Sequence, residues 1–472
     1  MAAPCLELRT PRKARFLNPS CRLDRPVRAL SPVSAKSART HSILAVSETL
    51  SAWPILPRWA CVVTFASVVS FAVNAAVAAP PVLAPPPPAD RALDPRRYEL
   101  AGFPVLGGNS DIGIQFGAAT TFTHFYDEAR PYLWNLDLLL SGSLKDQNGL
   151  RLVQQSHVLR LDAPALFGGR VRIDTRASFQ RTINAGYYGI GNATSVAPGE
   201  VGRRYQYVQQ EGRLRGIARV HTGSPFDLAL GASLRYEAPE RYSGSRLAED
   251  TATASPVAGA TSSLLGGIAA GLMVDTRDSE FVTTRGVFYQ AGVGWTVGSA
   301  DRVNYGNASV VLAHYAPLSA RIFFASRLVA SAEFGRVPFY DLQQGGTFEP
   351  QYLLGGETGV RGVPQGRYAG LVKMVSNTEI RSTPFPRFRI FGQSFRIGTT
   401  AFFDAGRIWE GYRAISPADG RSIGLKFGVG GGAFLQWGEA AIFRIEAAYS
   451  PDAVDENPGF PLGLYVSDGL MF

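Results

Sequence analysis

Residues 170–180 have the sequence RVRIDTRASFQ, in which polar and apolar side chains alternate. In an extended chain Val171, Ile173 and Phe179 fall on one face, whereas Asp174 and the arginines fall on the other. An alternation with a period of two residues predicts a β-strand with one apolar and one charged face. The stretch is also long for a strand of a soluble protein, whose usual length is about 5–6 residues.

The same alternation recurs along the chain from about residue 110, for example in 132–140, 226–237 and 441–450. Strand-like segments are predicted at 111–125, 131–143, 149–161, 169–182, 203–220, 225–237, 261–275, 286–298, 303–317, 321–334, 367–381, 395–407, 421–437, 440–450 and 462–472. Barrels made of one bacterial chain contain an even number of strands. We therefore expect sixteen strands, with one more between 183 and 261.

Two architectures could use strands of this kind. A soluble sandwich would turn the apolar faces inward, whereas a transmembrane barrel would turn them to lipid and the charged faces to a wet lumen. The length of the strands, the recurrence of Arg with Asp or Glu on one face, and a last apolar segment ending in Phe472 favour the barrel. The predicted fold is an all-β, transmembrane antiparallel β-barrel over 109–472, with a long loop folded into its lumen.

Composition excludes several other classes of protein. Glycine accounts for 51 of 472 residues and charged residues for 18%, against averages of about 7% and 25%, which suits a turn-rich β protein better than a helical enzyme. Of the net charge of +9, the first 79 residues carry most, with ten Lys or Arg against three acids. The body is nearly neutral, so no nucleic-acid partner is expected. The cysteines, Cys5, Cys21 and Cys61, all precede the barrel, which excludes a disulfide framework there.

The N-terminal region has the features of an export signal. Arg58 precedes an uncharged apolar run, Trp59–Ala79, which contains the small-residue site Ala76-Val77-Ala78. This pattern predicts a secretory signal peptide, and a single transmembrane anchor is the alternative. We expect residues 1–78, an N-terminal extension plus the signal peptide, to be removed. The proline-rich residues 79–108 are expected to form a linker.

The first 55 residues are rich in Arg, Ser and Pro. They precede the predicted signal peptide, where a secreted protein would ordinarily have no such segment. We expect them to reflect a misplaced translation start, and an organelle transit peptide, which has the same composition, is the alternative.

Four motifs occur in a fixed order along the predicted barrel. They are YYGIGN at 187–192, DTRD at 275–278, LGGETGVRG at 354–362 and FFDAG at 402–406. Together they resemble the bacterial surface antigen superfamily, which includes the assembly factor BamA, the translocation factor TamA and the two-partner secretion transporters. The resemblance covers roughly 110–472.

The sequence departs from that family in two respects. Val363-Pro364 replaces the aromatic residue that usually follows Arg-Gly. The linker is also too short for the periplasmic substrate-handling modules of the family. The resemblance therefore implies a short member that lacks these modules.

The resemblance also implies that the loop around Arg361 enters the barrel and that Arg361 meets Asp404. Glu379, on the strand after the loop, is a second possible acceptor. The glycines that would let the loop fold back are Gly355, Gly356 and Gly362. A guanidinium inside a narrow barrel needs a planar acceptor, and a carboxylate has that geometry. In the alternative interpretation Arg361 is an ordinary arginine of a surface loop.

The last strand, 462–472, is expected to close the barrel against the first. Its outer face is predicted to carry Leu464, Val466, Leu470 and Phe472. A short junction between these two strands, with the loop plugging the lumen, would favour an assembly factor. A long, fully paired junction would favour a channel.

Motifs for catalysis are missing from the sequence. It contains no nucleophile elbow, phosphate-binding loop or zinc-binding His-Glu-x-x-His motif, and its five histidines are scattered. We therefore expect no enzyme activity, metal or cofactor. The resemblance implies insertion, assembly or translocation of proteins at the bacterial outer membrane, with lipid and unfolded outer-membrane or secreted proteins as partners. A passive channel or porin is the alternative function, and an organelle outer envelope is the alternative location.

Overall fold

The computed structural model describes residues 96–472, apart from a set of short gaps. The gaps are 127–128, 130–131, 147–148, 197–201, 224, 391–392, 414–415, 421–422, 438–440, 454–461 and 469. The expected extension and signal peptide, 1–78, and the first part of the expected linker, 79–95, lie outside the described residues.

Sixteen antiparallel strands form a closed barrel. They are β1 (Tyr98–Asn109), β2 (Gly113–His124), β3 (Trp134–Asp146), β4 (Leu150–Ala165), β5 (Val171–Gly186), β6 (Gln206–His221), β7 (Asp227–Glu237), β8 (Ser263–Asp275), β9 (Gly286–Gly298), β10 (Asn304–Pro317), β11 (Ile322–Arg336), β12 (Val372–Ser382), β13 (Gln393–Trp409), β14 (Lys426–Trp437), β15 (Ala441–Tyr449) and β16 (Leu462–Asp468). Two short segments of the same sheet, Glu240–Arg241 and Phe388–Ile390, pair with β6 and β13. Each strand pairs with the next one along the chain, and β16 returns to β1. The predicted fold class and strand number are confirmed.

Every predicted segment contains a strand, but the sixteenth strand is not where the sequence analysis placed it. Instead of lying between 183 and 261, it is β1, whose residues 98–108 were assigned to the linker. Pro104 and the glycines at its end hide the alternation, because proline and glycine are typical of linkers. A proline is tolerated in an edge strand, and β1 is paired along its whole length on one side alone.

The two ends of the barrel differ in the length of their connections. One end, here called the short-loop end, holds the connections 166–170, 222–226 and 276–285. The other, the long-loop end, holds longer ones such as 238–262 and 337–371. Bacterial outer-membrane barrels have short periplasmic turns and longer extracellular loops, and this barrel has the same asymmetry.

The outer surface is apolar and bordered by aromatic side chains. On β7 the exposed residues Leu228, Leu230 and Leu234 alternate with inward-facing ones, as the sequence predicted. Tyr98 stacks on Phe122 at the short-loop end, with ring centroids 5.6 Å apart. At the long-loop end the rings of Trp295 and Phe334 pack at 5.6 Å. Aromatic girdles of this kind mark the two membrane–water interfaces. Within the described part of the chain, no helix is long and apolar enough to cross a membrane.

The connection between β11 and β12, residues 337–371, folds into the barrel and is here called the lumen loop. Its apolar side chains form a core with the inner faces of three strands. That core consists of Val329, Leu353, Leu354, Val360, Val363, Tyr368, Val375 and Ile408. The barrel is thus a wall around a packed loop, and this core joins the loop to β11, β12 and β13.

Candidate functional site

A compact fold-back in the lumen loop presents Arg361 to the barrel wall. The amide of Gly356 donates to the carbonyl of Val363 (2.9 Å), and the amide of Val360 donates to that of Leu353 (3.2 Å). Gly355 has φ +117°, and a Cβ there would lie 2.1 Å from the Pro364 carbonyl oxygen. No other residue type fits such a close approach with a positive φ. The local sequence therefore fixes the position of Arg361.

The Arg361 side chain is fully buried and is bound by three carboxylates. Nε and Nη2 donate to the two carboxylate oxygens of Asp404, at 2.8 and 3.0 Å. Nη1 donates to Glu379 at 2.8 Å and to Glu446 at 3.0 Å. The guanidinium also lies over the Phe402 ring, 3.4 Å from its centroid. Bidentate pairing with one carboxylate uses the planar fork that distinguishes Arg from Lys.

These carboxylates come from three strands and have further cationic or polar partners. Arg381 donates to Glu379 at 2.8 Å, and Arg444 lies 3.5 Å from Glu446. These ion pairs join three arginines, Arg361, Arg381 and Arg444, to three carboxylates. Because buried charges are costly unless paired, the loop position and the wall charges depend on each other.

A glycine of the wall makes room for the loop backbone. A Cβ at Gly428 on β14 would lie 1.9 Å from the carbonyl oxygen of Arg361. Gly362, with φ +93°, passes close to Ser450 in the same way. The loop therefore lies directly on the inner surface of β14 and β15.

The junction between β1 and β16, here called the seam, has very few strand pairs. It contains the pairs Gly108↔Val466 and Asn109↔Tyr465, and the Ser110 amide donates to the Leu464 carbonyl at 3.1 Å. By contrast, β1 and β2 share twelve pairs and β15 and β16 share seven. Among the described residues, 98–107 of β1 have no strand partner on the seam side.

The loop anchor and the seam are directly connected. The Gly362 amide donates to the Tyr465 hydroxyl at 2.8 Å, and Tyr465 pairs across the seam with Asn109. Tyr465 also lies opposite Glu446, which binds Arg361. A movement of the fold-back would therefore displace Tyr465 and alter the pairing at the seam.

The lumen loop has two further attachments on the far wall. Arg235 of β7 donates to both carboxylate oxygens of Asp341, at 2.7 and 2.5 Å. Burial tends to raise the pKa of Asp341, but the Arg235 guanidinium outweighs it and the pKa lies below its usual value. The ring of Phe348 fills a slot where Cβ atoms at Gly271 and Gly292 would lie 2.9 and 2.7 Å from it. The loop thus spans the lumen from β7–β9 to β13–β15.

A sequence profile of the Omp85 superfamily domain matches residues 154–462, well over half of the chain. The chain belongs to the Omp85 superfamily. This membership confirms the resemblance found in the motifs.

The solved structures that are similar to this Omp85 barrel include the following two. The first is BamA from Haemophilus ducreyi lacking POTRA domains 1–3, with a TM-score of 0.50 and 14% identity over 79% of this chain and 70% of that one. The second is CdiB from Escherichia coli, with a TM-score of 0.49 and 14% identity over 78% of this chain and 62% of that one. At 14% identity the likeness to BamA concerns the fold alone. No curated protein matches the sequence.

In the structure Arg361, in the fold-back that contains Gly355, Gly356 and Gly362, contacts Asp404 and Glu379, the two acceptors named in the sequence analysis. Glu446 and Gly428 were missed. Glu446 lies on the polar face of the alternating segment 441–450, but nothing in the sequence shows that β15 comes close to the loop.

The end of the last strand differs from expectation. β16 stops at Asp468, so Leu470 and Phe472 do not continue the outward row of Leu464 and Val466. Phe472 instead contacts inward-facing side chains. Arg381 donates to its main-chain oxygen at 2.8 Å and lies 5.1 Å from its ring centroid. The alternation fails here because no described β1 residue pairs beyond Val466, while an inward cation attracts the ring.

The other motifs lie at the two ends of the Omp85 barrel. In YYGIGN, the Gly191 amide donates to the Ala369 carbonyl at 2.8 Å, which ties this segment to the lumen loop at the long-loop end. In DTRD, Arg277 binds Asp275 at 2.8 Å, and Asp278 accepts from the Thr284 amide at 2.9 Å. These contacts stabilise a turn at the short-loop end.

We predict that Gly428→Ala releases the fold-back from the wall, because the new Cβ cannot coexist with the Arg361 carbonyl. Trypsin should then cut after Arg361 or Arg367 at least about tenfold faster than in the wild type, since cleavage tracks the population of the opened loop. Gly266→Ala is the matched control, because a Cβ there meets open space. Equal cleavage of both variants would show that the loop tolerates the contact.

Proposed function

We propose that this protein inserts or translocates other proteins at the bacterial outer membrane, and that its seam opens during insertion or translocation. The observation that carries the proposal is the seam itself, with two strand pairs where β1 and β2 share twelve. The membrane-facing apolar surface and the family membership support the outer membrane as its location.

A short seam lowers the stability of a barrel that stays closed, but it helps a barrel that has to open. An unpaired backbone group in lipid costs several kcal/mol, so a stable channel gains from full pairing of its closing strands. Residues 98–107 of β1 instead offer a strand edge that has no partner among the described residues beside the seam. Such an edge is a template for an incoming strand. A client that pairs with it would satisfy its own backbone groups while it enters the membrane.

The lumen loop supports the same function and weighs against a wide pore. Leu353, Val360 and Val363 are fully buried in the barrel interior, where an open porin would hold water. The link from Gly362 to Tyr465 gives the loop a means of controlling the seam.

A reversible cross-link tests the proposal. Ser110 follows β1 directly, and its amide donates to the Leu464 carbonyl at 3.1 Å. The two residues therefore continue the register of the pair Asn109↔Tyr465 and are within disulfide reach. With Cys5, Cys21 and Cys61 replaced by serine, S110C/L464C can be oxidised in the full chain and reconstituted into liposomes. We expect the reduced protein to accelerate insertion of a urea-unfolded outer-membrane barrel, and the oxidised protein to lose that acceleration.

The matched control places the disulfide elsewhere in the wall. Val293 and Ala308 oppose each other on β9 and β10, so V293C/A308C adds the same bond without touching the seam. This variant should keep its activity when oxidised. If neither protein accelerates insertion, and ion current through S110C/L464C is the same oxidised and reduced, the protein is a passive channel.

A further inference from the structure

A row of arginines crosses the inner wall on the side away from Arg361. Arg160 of β4 lies directly opposite Arg176 of β5, which lies directly opposite Arg215 of β6. Directly opposed residues on one face have Cβ atoms about 4.5–5.5 Å apart, and like charges so placed destabilise a sheet. The repulsion between these cations therefore lowers the stability of the wall.

Neutralisation along the row is uneven. Arg160 binds Asp174 at 2.6 Å. Arg215 donates to two groups of the lumen loop, the Phe348 carbonyl at 2.9 Å and Glu349 at 3.2 Å. Arg176 is exposed to the lumen and has no ion pair within the part of the chain that the structure describes. Of the two facing arginines, Arg215 has an ion pair, with Glu349, and Arg176 has none among the described residues.

That one carboxylate is weakly held. The Glu349 side chain is 71% exposed, whereas the Arg215 side chain is 13% exposed. An ion pair with one solvated partner contributes little, about 0–1 kcal/mol. A solute anion can therefore replace Glu349 at low cost.

The site is open to solutes. Arg176 is exposed to the lumen. A cavity of about 190 Å³ borders the row on the side of Arg160 and Glu349, although Arg176 and Arg215 themselves do not line it. It also reaches Arg172, which binds Glu280 in a connection of the short-loop end at 2.7 Å. Solutes would therefore enter from the short-loop end, without passing the buried core of the lumen loop.

We propose that Arg176 and Arg215 bind a small oxyanion, a phosphate or a carboxylate, in the lumen, and that Glu349 is a displaceable internal competitor. Two guanidinium forks match the oxygens of a tetrahedral or planar anion. The bound anion relieves the repulsion between the facing arginines. Because a doubly charged phosphate neutralises both cations, it binds more tightly than acetate. This site is independent of the seam.

Titration calorimetry tests the site on the full chain in neutral detergent, with inorganic phosphate and acetate as separate probes. We expect saturable phosphate binding that is stronger than acetate binding. R176Q and R215Q should each weaken it by roughly tenfold or more, the loss typical of a hydrogen bond to a charged group. R181Q is the matched control, because Arg181 lies on the outward face of the same strand and should leave binding unchanged.

The variant E349Q is expected to bind phosphate more tightly, a change that misfolding cannot produce. Removal of the competing charge should tighten phosphate binding several-fold, because the anion then displaces a neutral amide. The proposal is overturned if the wild type and E349Q show no saturable binding. It is also overturned if R181Q weakens binding as much as R176Q, or if E349Q binds no more tightly than the wild type.

Discussion

Arg361→Ala should destabilise the folded barrel by about 3–5 kcal/mol, the usual cost of leaving buried charges without their partner. The guanidinium is fully buried and serves Asp404, Glu379 and Glu446 together. Its removal leaves three carboxylates facing two arginines. The measurement is the urea midpoint of heat-modifiable barrel on gels. Arg285→Ala, on an exposed turn, is the control and should change stability by less than about 0.5 kcal/mol.

A mutant cycle shows whether the loss belongs to the Arg361–Asp404 contact. Asp404→Ala should also destabilise the barrel, and the double mutant should lose less than the sum of the single losses, because the partners contact each other. Arg361→Lys should recover little, since an ammonium cannot bind Asp404 with two parallel hydrogen bonds. Additive losses with full rescue by lysine would mean that Arg361 acts through its charge or bulk alone.

Most of the wall could be predicted from the sequence because lipid and lumen impose a strict alternation. Stretches such as RVRIDTRASFQ show it directly, and each predicted segment contains a strand. The sequence did not predict β1 because Pro104 and the glycines at the end of this strand interrupt the alternation. An edge strand tolerates such residues. At the opposite end of the chain the predicted strand continues to Phe472, but the last strand ends at Asp468 and Phe472 turns inward to Arg381.

The site was less accessible to sequence analysis. Arg361, Asp404 and Glu379 were expected together, but that expectation came from resemblance to a family and from the geometry that a guanidinium requires. Glu446 lies 85 positions from Arg361. Gly428 allows the loop backbone to lie against the wall because it has no side chain. Such contacts exist only after the barrel has closed, because closure brings the inner faces of β12 to β15 around one loop.

Deletion of 462–472 should abolish the folded barrel, whereas deletion of 470–472 should leave it folded. The longer deletion removes β16 and its seven pairs with β15, so β15 and β1 both face lipid with unpaired backbone groups at several kcal/mol each. It also removes Tyr465, which holds Gly362. The shorter deletion begins after β16 ends. It removes the contacts of Phe472 with Arg381, Arg327 and Tyr315 but none of the strand pairs of β16. Folded yield in liposomes, read from heat-modifiability, separates the two. If the longer deletion folds at the wild-type yield, β16 does not close the barrel; if the shorter one fails, Phe472 is needed for assembly itself.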